Sequence, residues 1–396
     1  MNANATNSYH SNAFVNWYFV MKAVGLKKDI PGLFLEDIAK PEIQKKDDVL
    51  IRIISTAIDG TDFSLLKNHL VDAPEKEDFL TLGHEMIGRV EAVGSGVHTI
   101  AVGDLVTPTN RRGCGICSAC AENMSDYCYT GLYKEHGIHF LHGYLTEYAV
   151  SQEQYCVKMS EEDIALGVWV EPMSIAIKAF DEMLRIQLRA PSSCIHPEHN
   201  WDQPRWQGCK RALVLGAGPL GFLGTLWLRA HDIETYVLEV VPEDSIKVKM
   251  IKKLGAHYVD GKSFTPKKIM EAIGHVDVIF EATGASDVAL AFIEMMSRNS
   301  VYLLMGVPRA QENKVCFDVN AILRHIVRQN QVILGSVNSN AEHFRKAAEF
   351  LRFIQKRFPG MLEKGITNRF ALEQFEEAFS FTDGERLKIV FDISKP

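Results

Sequence analysis

The chain has 396 residues, 46% of them hydrophobic, which is enough apolar material for substantial cores and a length that predicts two or more domains. Its formal charge of -7, with the two signs interspersed, offers no basic face to nucleic acid or anionic lipid, so a small-molecule partner is expected, with no nucleic acid and no membrane. No apolar run reaches the roughly 18 residues of a membrane helix, and the opening MNANATNSYHSNAFVNWYFV has no basic stretch before its apolar patch, so it does not read as a secretory signal. A cytoplasmic location is the resulting expectation. Residues 1–20 read as a disordered extension ahead of a first strand at MKAVGL.

Residues 21–174 are rich in short strands, glycine and proline, and form the first expected domain. Within it, IDGTD at 58–62 places Asp59 beside a turn, and GHEMIGRVEAVGSGV at 83–97 sets His84 and Glu85 before a strand-like run broken by glycines. A lone histidine in such a place is most often structural. Here VEP at 170–172 adds a third carboxylate at an element end, and Asp59, His84 and Glu171 together would make an oxygen-and-imidazole metal site with one position open to water or substrate. Between these motifs lies RRGCGICSACAENMSDYC. Its cysteines, Cys114, Cys117, Cys120 and Cys128, follow the pattern C-x2-C-x2-C-x7-C. In a reducing compartment such spacing favours metal over disulfides, and four thiolates close a tetrahedral zinc with no open position, which predicts a structural site. Cys156, Cys194, Cys209 and Cys316 are scattered and read as ordinary thiols.

Positions 190–210 hold prolines and mixed polar and aromatic residues without periodicity, and read as an inter-domain loop containing Cys194 and Cys209. After it, RALVLGAGPLGFLGTLWLRAHDIETYVLEV runs from a strand through Gly216, Gly218 and Gly221 into an apolar helix and a second strand ending at Glu239. Gly216 allows the tight turn, Gly218 lets the backbone approach a pyrophosphate, and Gly221 permits close helix–strand packing, while Pro219 and Leu220 open the helix. The Glu239 carboxylate would accept hydrogen bonds from a ribose 2′-hydroxyl and repel a 2′-phosphate, and Val240 and Val241 supply no cation, so NAD is preferred and NADP possible. A solvated strand-end acid is the plainer reading of Glu239. Helix SIKVKMIKKLGA, strand HVDVIFEATG, helix SDVALAFIEMMSR from 286, strand SVYLLMGV from 300 and strand QVILGSV then alternate. The expectation is an α/β class chain whose second domain, at 175–338, is a doubly wound parallel Rossmann sheet with right-handed crossovers. Strand QVILGSV is either internal or an edge that pairs across a two-fold axis into a homodimer or homotetramer. Residues 339–396, with helix AEHFRKAAEFLRFIQKRF and strand RLKIVFDI, are expected to pack back on the first domain.

These residues resemble the zinc-dependent medium-chain alcohol dehydrogenases, and within them the glucose 1-dehydrogenase family, over nearly everything after Met21. GHEMIGRVEAVGSGV, the four-cysteine lobe and LGAGPLG carry the general resemblance, while GTD after Asp59, NRRGCGICSAC, TGLYKEHGI, VEPMS and GSVNSNAEHF carry the narrower one. The resemblance implies a β-rich GroES-like catalytic domain, a catalytic zinc on Asp59, His84 and Glu171 with Glu85 as an outer or alternating ligand, and sugar contacts from Asn110, Glu135, Glu171 and Asn338. The expected cofactor set adds Thr283, Gly306 and Asn338 to the glycine loop and Glu239. Many relatives have a cysteine where Asp59 stands, and the harder oxygen shell lets other divalent ions compete for the site. NADP-preferring relatives carry basic residues where this chain has Glu239, Val240 and Val241.

The implied reaction is oxidation of the anomeric hydroxyl of an aldose, glucose or galactose, to the aldonolactone, with zinc as Lewis acid and hydride passing to the nicotinamide. Thr61 either relays the proton or caps a helix. Two other readings stay open: a sibling dehydrogenase acting on a polyol, threonine or another alcohol, and a non-catalytic scaffold that binds dinucleotide.

Overall fold

A computed structural model describes residues 20–189, 209–263, 265–308, 316–381, 384 and 386–395. Residues 1–19 of the expected extension, Cys194 and nearly all of the expected 190–210 loop lie outside the described residues, while Val20, expected in the extension, begins the first strand, Val20–Lys27.

A six-stranded, wholly parallel sheet has the order His257–Asp260, Glu234–Glu239, Arg211–Leu215, Val276–Glu281, Met296–Leu304, Val332–Gly335. Its central strands read as unbroken apolar runs because both faces are covered. Ala212, Val214, Val278 and Phe280 enter one core, while Leu213, Leu215 and Ile279 enter the other, the two-residue alternation of a strand. Strand order reverses beside Arg211–Leu215, and the loops that leave the carboxyl ends on either side open the crevice where such sheets bind ligands. QVILGSV supplies an edge strand, Val332–Gly335, hydrogen-bonded on one side only among the described residues.

The segment from 286 departs from expectation. The helix ends at Ala291, a 3-10 turn covers Ile293–Met295, and the next strand begins at Met296, not at 300. Phe292, Ile293, Met295 and Met296 are all buried in the second core, and seating these closely spaced side chains overrides the helix propensity of the run. The short edge strand His257–Asp260 and the helices Pro266–Ile273 and Val319–Arg328 were not anticipated, although both helices are amphipathic.

The other large sheet has seven strands, built around Asp48–Ile58, which pairs with Glu85–Val93 on one side and Lys388–Asp392 on the other. Lys388–Asp392 in turn pairs with Ile366–Phe370, so the end of the chain completes the sheet begun near its start. A three-stranded sheet, Ile30–Ala39, Val20–Lys27 and Phe79–Thr81, covers its flank. No helix of the described residues is long and apolar enough to cross a membrane.

Helix Val170–Gln187 links the two sheets. Phe180 on it stacks on Trp227 with centroids 3.9 Å apart and on Phe280 at 5.3 Å, while Trp169 just before it donates to the Leu362 carbonyl at 3.2 Å. One continuous core therefore contains Ile54 and Ile87 from the first sheet together with Val214 and Phe280 from the parallel sheet. Phe180→Ala is expected to destabilise the chain by about 3–5 kcal/mol, read as an earlier urea midpoint at unchanged slope.

Candidate active site

Asp59 ends strand Asp48–Ile58 and begins helix Gly60–Asn68. Its extended backbone and carboxylate make it the N-cap: Oδ1 accepts from the Thr61 amide at 2.7 Å, and Asp62 returns the bond by accepting from the Asp59 amide at 3.0 Å. The cap is thus Asp59, not Thr61, whose hydroxyl lies 3.4 Å from Asp59 Oδ2. Asp62 is wholly buried and also accepts from the Gly83 amide at 2.9 Å, which fixes the residue before His84.

His84 Nε2 lies 3.7 Å from Asp59 Oδ1, and its Nδ1 lies 3.8 Å from Asp62 Oδ2. Glu171, in the first turn of helix Val170–Gln187, and Glu85, first in its strand, approach the same imidazole. Two groups of potential metal-binding atoms, each within 4.8 Å of one another, share His84: Asp59, Asp62 and His84, and His84, Glu85 and Glu171. The expected trio of Asp59, His84 and Glu171 is therefore split between two overlapping groups.

Asp62, His84, Glu85 and Glu171 are buried, Asp59 is partly exposed at the mouth of the cluster, and Lys388, itself buried, pairs with Glu85. Burial lifts the Glu171 carboxyl against the pull of His84, and Glu85 and Asp59 add to the rise, to about 8. Burial alone would lower the His84 imidazole, but Asp59, Asp62, Glu171 and Glu85 hold it up at about 9. Asp59 resists its own burial through His84 and Lys388 and is lowered. Asp62 is lifted by burial, against His84, to about 6. Four carboxylates around one imidazole and one lysine hold more negative than positive charge, and the rise of Asp62, Glu85 and Glu171 toward their protonated forms relieves it. Glu85 Oε1 and His84 Nδ1 have no hydrogen-bond partner. A divalent cation fits this donor set: it would offset the charge, engage the unpartnered atoms and release the protons.

A second polar cluster lies along the three-stranded sheet Arg111–Arg112, Lys134–His136, Phe140–Leu141. Glu135 Oε1 accepts from Asn338 Nδ2 at 2.6 Å and from Arg111 Nε at 3.0 Å, all three buried. Residues 203 apart in sequence thus meet in one contact. Asn110 is 2% exposed and its Oδ1 has no partner, an acceptor left open in a buried position.

The expected cofactor residues follow the carboxyl ends of the parallel strands. Gly216 has φ 91°, and a Cβ on Gly221 would lie 1.9 Å from the Gly216 carbonyl oxygen, so both positions require glycine. A Cβ on Gly218 would meet nothing within 4 Å, leaving that turn open above the amides of Pro219–Ala230, whose first residues are Pro219 and Leu220. Glu239 accepts from the Ala217 and Val240 amides, both at 2.8 Å, so it ties the glycine turn to the end of its own strand. Thr283 and Gly306 leave the next two strands, and the Glu281 carboxylate accepts from the Thr283 amide at 2.6 Å.

Cys114, Cys117, Cys120 and Cys128 converge with every sulfur within 4.8 Å of the others, and a Cβ on Gly113 would lie 2.6 Å from Cys120 Sγ. The Thr130 hydroxyl and nearby amides bring Cys114 down to about 6, while burial and the neighbouring sulfurs raise Cys120 to about 12. One thiolate among packed thiols is what a bound cation would complete.

Sequence reasoning did not single out Asp62, Lys388, Arg111 and Glu281. Asp62 could have been found from the D-x-x-D spacing of a capping box, and Lys388 from a charge placed within the apolar run LKIVF. The guanidinium of Arg111 and the carboxylate of Glu281 carry no local signal of burial.

The family model described as glucose dehydrogenase C-terminus matches residues 164–393, and that described as alcohol dehydrogenase GroES-like domain matches 45–161. The chain is 35% identical to glucose 1-dehydrogenase 2 of Vulcanisaeta moutnovskia over 94% of this chain and 99% of that one, and 33% identical to glucose 1-dehydrogenase of Methanocella arvoryzae over the same shares. Among solved structures, Haloferax mediterranei glucose dehydrogenase in complex with NADP, Zn and gluconolactone superposes with a TM-score of 0.83 at 30% identity, covering 95% of this chain and 100% of that one. With its parallel dinucleotide-type sheet and its buried acid-rich donor set, the chain belongs to the glucose dehydrogenase family of the zinc-dependent medium-chain alcohol dehydrogenases and is an NAD(P)-dependent zinc oxidoreductase.

Proposed function

We propose that the chain oxidises the C1 hydroxyl of an aldose, D-glucose first and galactose second, to the aldonolactone, with NAD preferred over NADP. The observation that carries this reading is the surplus of buried carboxylate around His84, which a bound divalent cation would balance. Asp59, His84 and Glu171 would hold the catalytic zinc, with Glu85 able to exchange in through its unpartnered Oε1. When bound, zinc supplies Lewis acidity toward the C1 hydroxyl and the nicotinamide supplies the hydride acceptor. Glu135, Asn338 and Asn110 offer the carboxylate and amides that sugar hydroxyls require, each held by burial in one orientation. The Thr61 hydroxyl, in reach of Asp59 Oδ2, can pass a proton outward from the site.

Glu239 supports the cofactor preference: its carboxylate is fixed by two amides, and a 2′-phosphate brought there would meet an anion and no paired cation. The four-cysteine lobe would hold a second, structural zinc. The edge strand Val332–Gly335 and the exposed Val319, Leu323 and Val327 of the neighbouring helix suit a homodimer or a homotetramer, and the protein would work in the cytoplasm.

Metal analysis of the purified chain is expected to find about two zinc ions, one open and one closed site. His84→Ala or Asp59→Ala should lose one equivalent and turnover while still binding NAD by fluorescence titration, and Cys117→Ser should lose the other equivalent together with thermal stability. Full turnover in His84→Ala would sink the ligand assignment. A panel of glucose, galactose, polyols and threonine with each cofactor, followed by reduced-nicotinamide absorbance, should give glucose the highest kcat/KM and NAD roughly a tenfold advantage over NADP. Glu239→Gln should narrow that advantage. Activity confined to a polyol or threonine would overturn the aldose reading.

A further inference from the structure

The four-cysteine lobe is tied to the turn that carries Asn338 by a buried ion pair. Asp126 lies between Cys120 and Cys128, in the 3-10 turn Ser125–Tyr127. Its Oδ2 is 3.0 Å from Nζ of Lys178, and the two side chains are 0% and 3% exposed. The same Nζ donates to the Val337 carbonyl at 3.1 Å, the residue before Asn338. Asp126 Oδ1 accepts from Asn340 Nδ2 at 3.1 Å, two residues after Asn338. One carboxylate therefore braces the turn on both sides of the residue that contacts Glu135.

The bracing reaches Glu135 as well. Arg111 donates through Nη1 to the Asp126 carbonyl at 3.2 Å and through Nε to Glu135 at 3.0 Å, and Glu135 accepts from Asn338. The circuit closes on itself: Asp126, Lys178, the 337–340 turn, Glu135, Arg111 and back to Asp126. Two anions and two cations balance within it. Such a network is rigid when every member is satisfied and costly when one is removed.

Helix periodicity explains how a single element brings the circuit to the metal-binding cluster. Glu171, Ser174 and Lys178 are spaced three and four residues apart, on one face of Val170–Gln187. Glu171 joins the group around His84, Ser174 exchanges a hydrogen bond of 2.5 Å with Ser339, and Lys178 meets Val337 and Asp126. Asn338 itself sits at φ 58°, a left-handed conformation that asparagine tolerates, and its own Oδ1 accepts from the Ser339 amide at 2.8 Å.

We propose that Asp126 and Lys178 are a positioning pair: from inside the cysteine lobe they set the 337–340 turn, and with it the geometry with which Asn338 and Glu135 hold the sugar. This rests on the reading of Asn338 and Glu135 as sugar contacts. The lobe would then act on substrate affinity as well as on stability.

The test is steady-state kinetics of the full zinc-loaded chain with glucose and NAD. Lys178→Met is expected to raise the glucose KM about tenfold or more, as small misplacements of positioning groups do, while the NAD dissociation constant measured without sugar stays unchanged. Lys178→Arg, which keeps the charge, should recover part of the loss. If Lys178→Met strands Asp126 and unfolds, the neutral double variant Lys178→Met/Asp126→Asn is read in its place, with the same raised KM expected. A folded variant of the pair with lowered melting temperature and an unchanged glucose KM would show a merely structural pair and overturn the proposal. Asn338→Ala separates the two levels: if it too leaves the glucose KM unchanged, the sugar-contact reading is what fails, whereas a raised KM in Asn338→Ala alone refutes only the coupling.

Discussion

Asp62, Glu85 and Glu171 are buried, and Asp59 partly so, around one imidazole with a single lysine among them, and confining that much like charge away from water costs several kcal/mol per ion unless a cation or protons offset it. Much of the surrounding architecture serves to keep those groups together despite the repulsion. Asp59 is held by the amides of the helix it caps, Asp62 by the Gly83 amide, Glu85 by Lys388, and Glu171 by its place in the first turn of a long helix. Each is restrained by a different element, so no single local rearrangement relieves the cluster. A site prepared in this way would accept a divalent ion with little rearrangement of its donors.

Helix Val170–Gln187 serves two environments at once. Its apolar side, with Phe180 stacked on Trp227 and Phe280, fuses two sheets into one core, whereas its polar side supplies Glu171, Ser174 and Lys178 to the site. The separation of these sides by helical periodicity is what allows a fully packed interior to lie one side chain away from charged chemistry. The same helix relates the His84 cluster to the 337–340 turn, since Glu171 stands in the one while Ser174 and Lys178 hydrogen-bond to the other.

Much of this was legible in the sequence because it depends on local pattern. The glycine turn with its flanking strand and helix, the cysteine spacing and the alternation of strands and helices after 211 all follow from backbone chemistry over short stretches. The edge position of Val332–Gly335, by contrast, was one of two readings, since strand order depends on long-range pairing. The helix expected over 286–298 was shortened because Phe292, Ile293, Met295 and Met296 gain more from core burial than from another helical turn. Arg111 and Asp126 are ordinary charged residues in their own segments, and even Lys388, whose place in an apolar run is a local cue, becomes informative only through a partner distant in sequence. Glu85 and Lys388, for example, are 303 positions apart.

That separation bears on biosynthesis. During vectorial synthesis the segment containing Glu85 emerges long before strand Lys388–Asp392, so the carboxylate lacks its lysine partner until that strand has emerged as well. A prematurely terminated product lacking that strand would expose an open sheet edge along Asp48–Ile58 and leave Glu85 unmatched in the interior. A fragment without the late strand therefore lacks both the backbone partner of Asp48–Ile58 and the ammonium that pairs with Glu85.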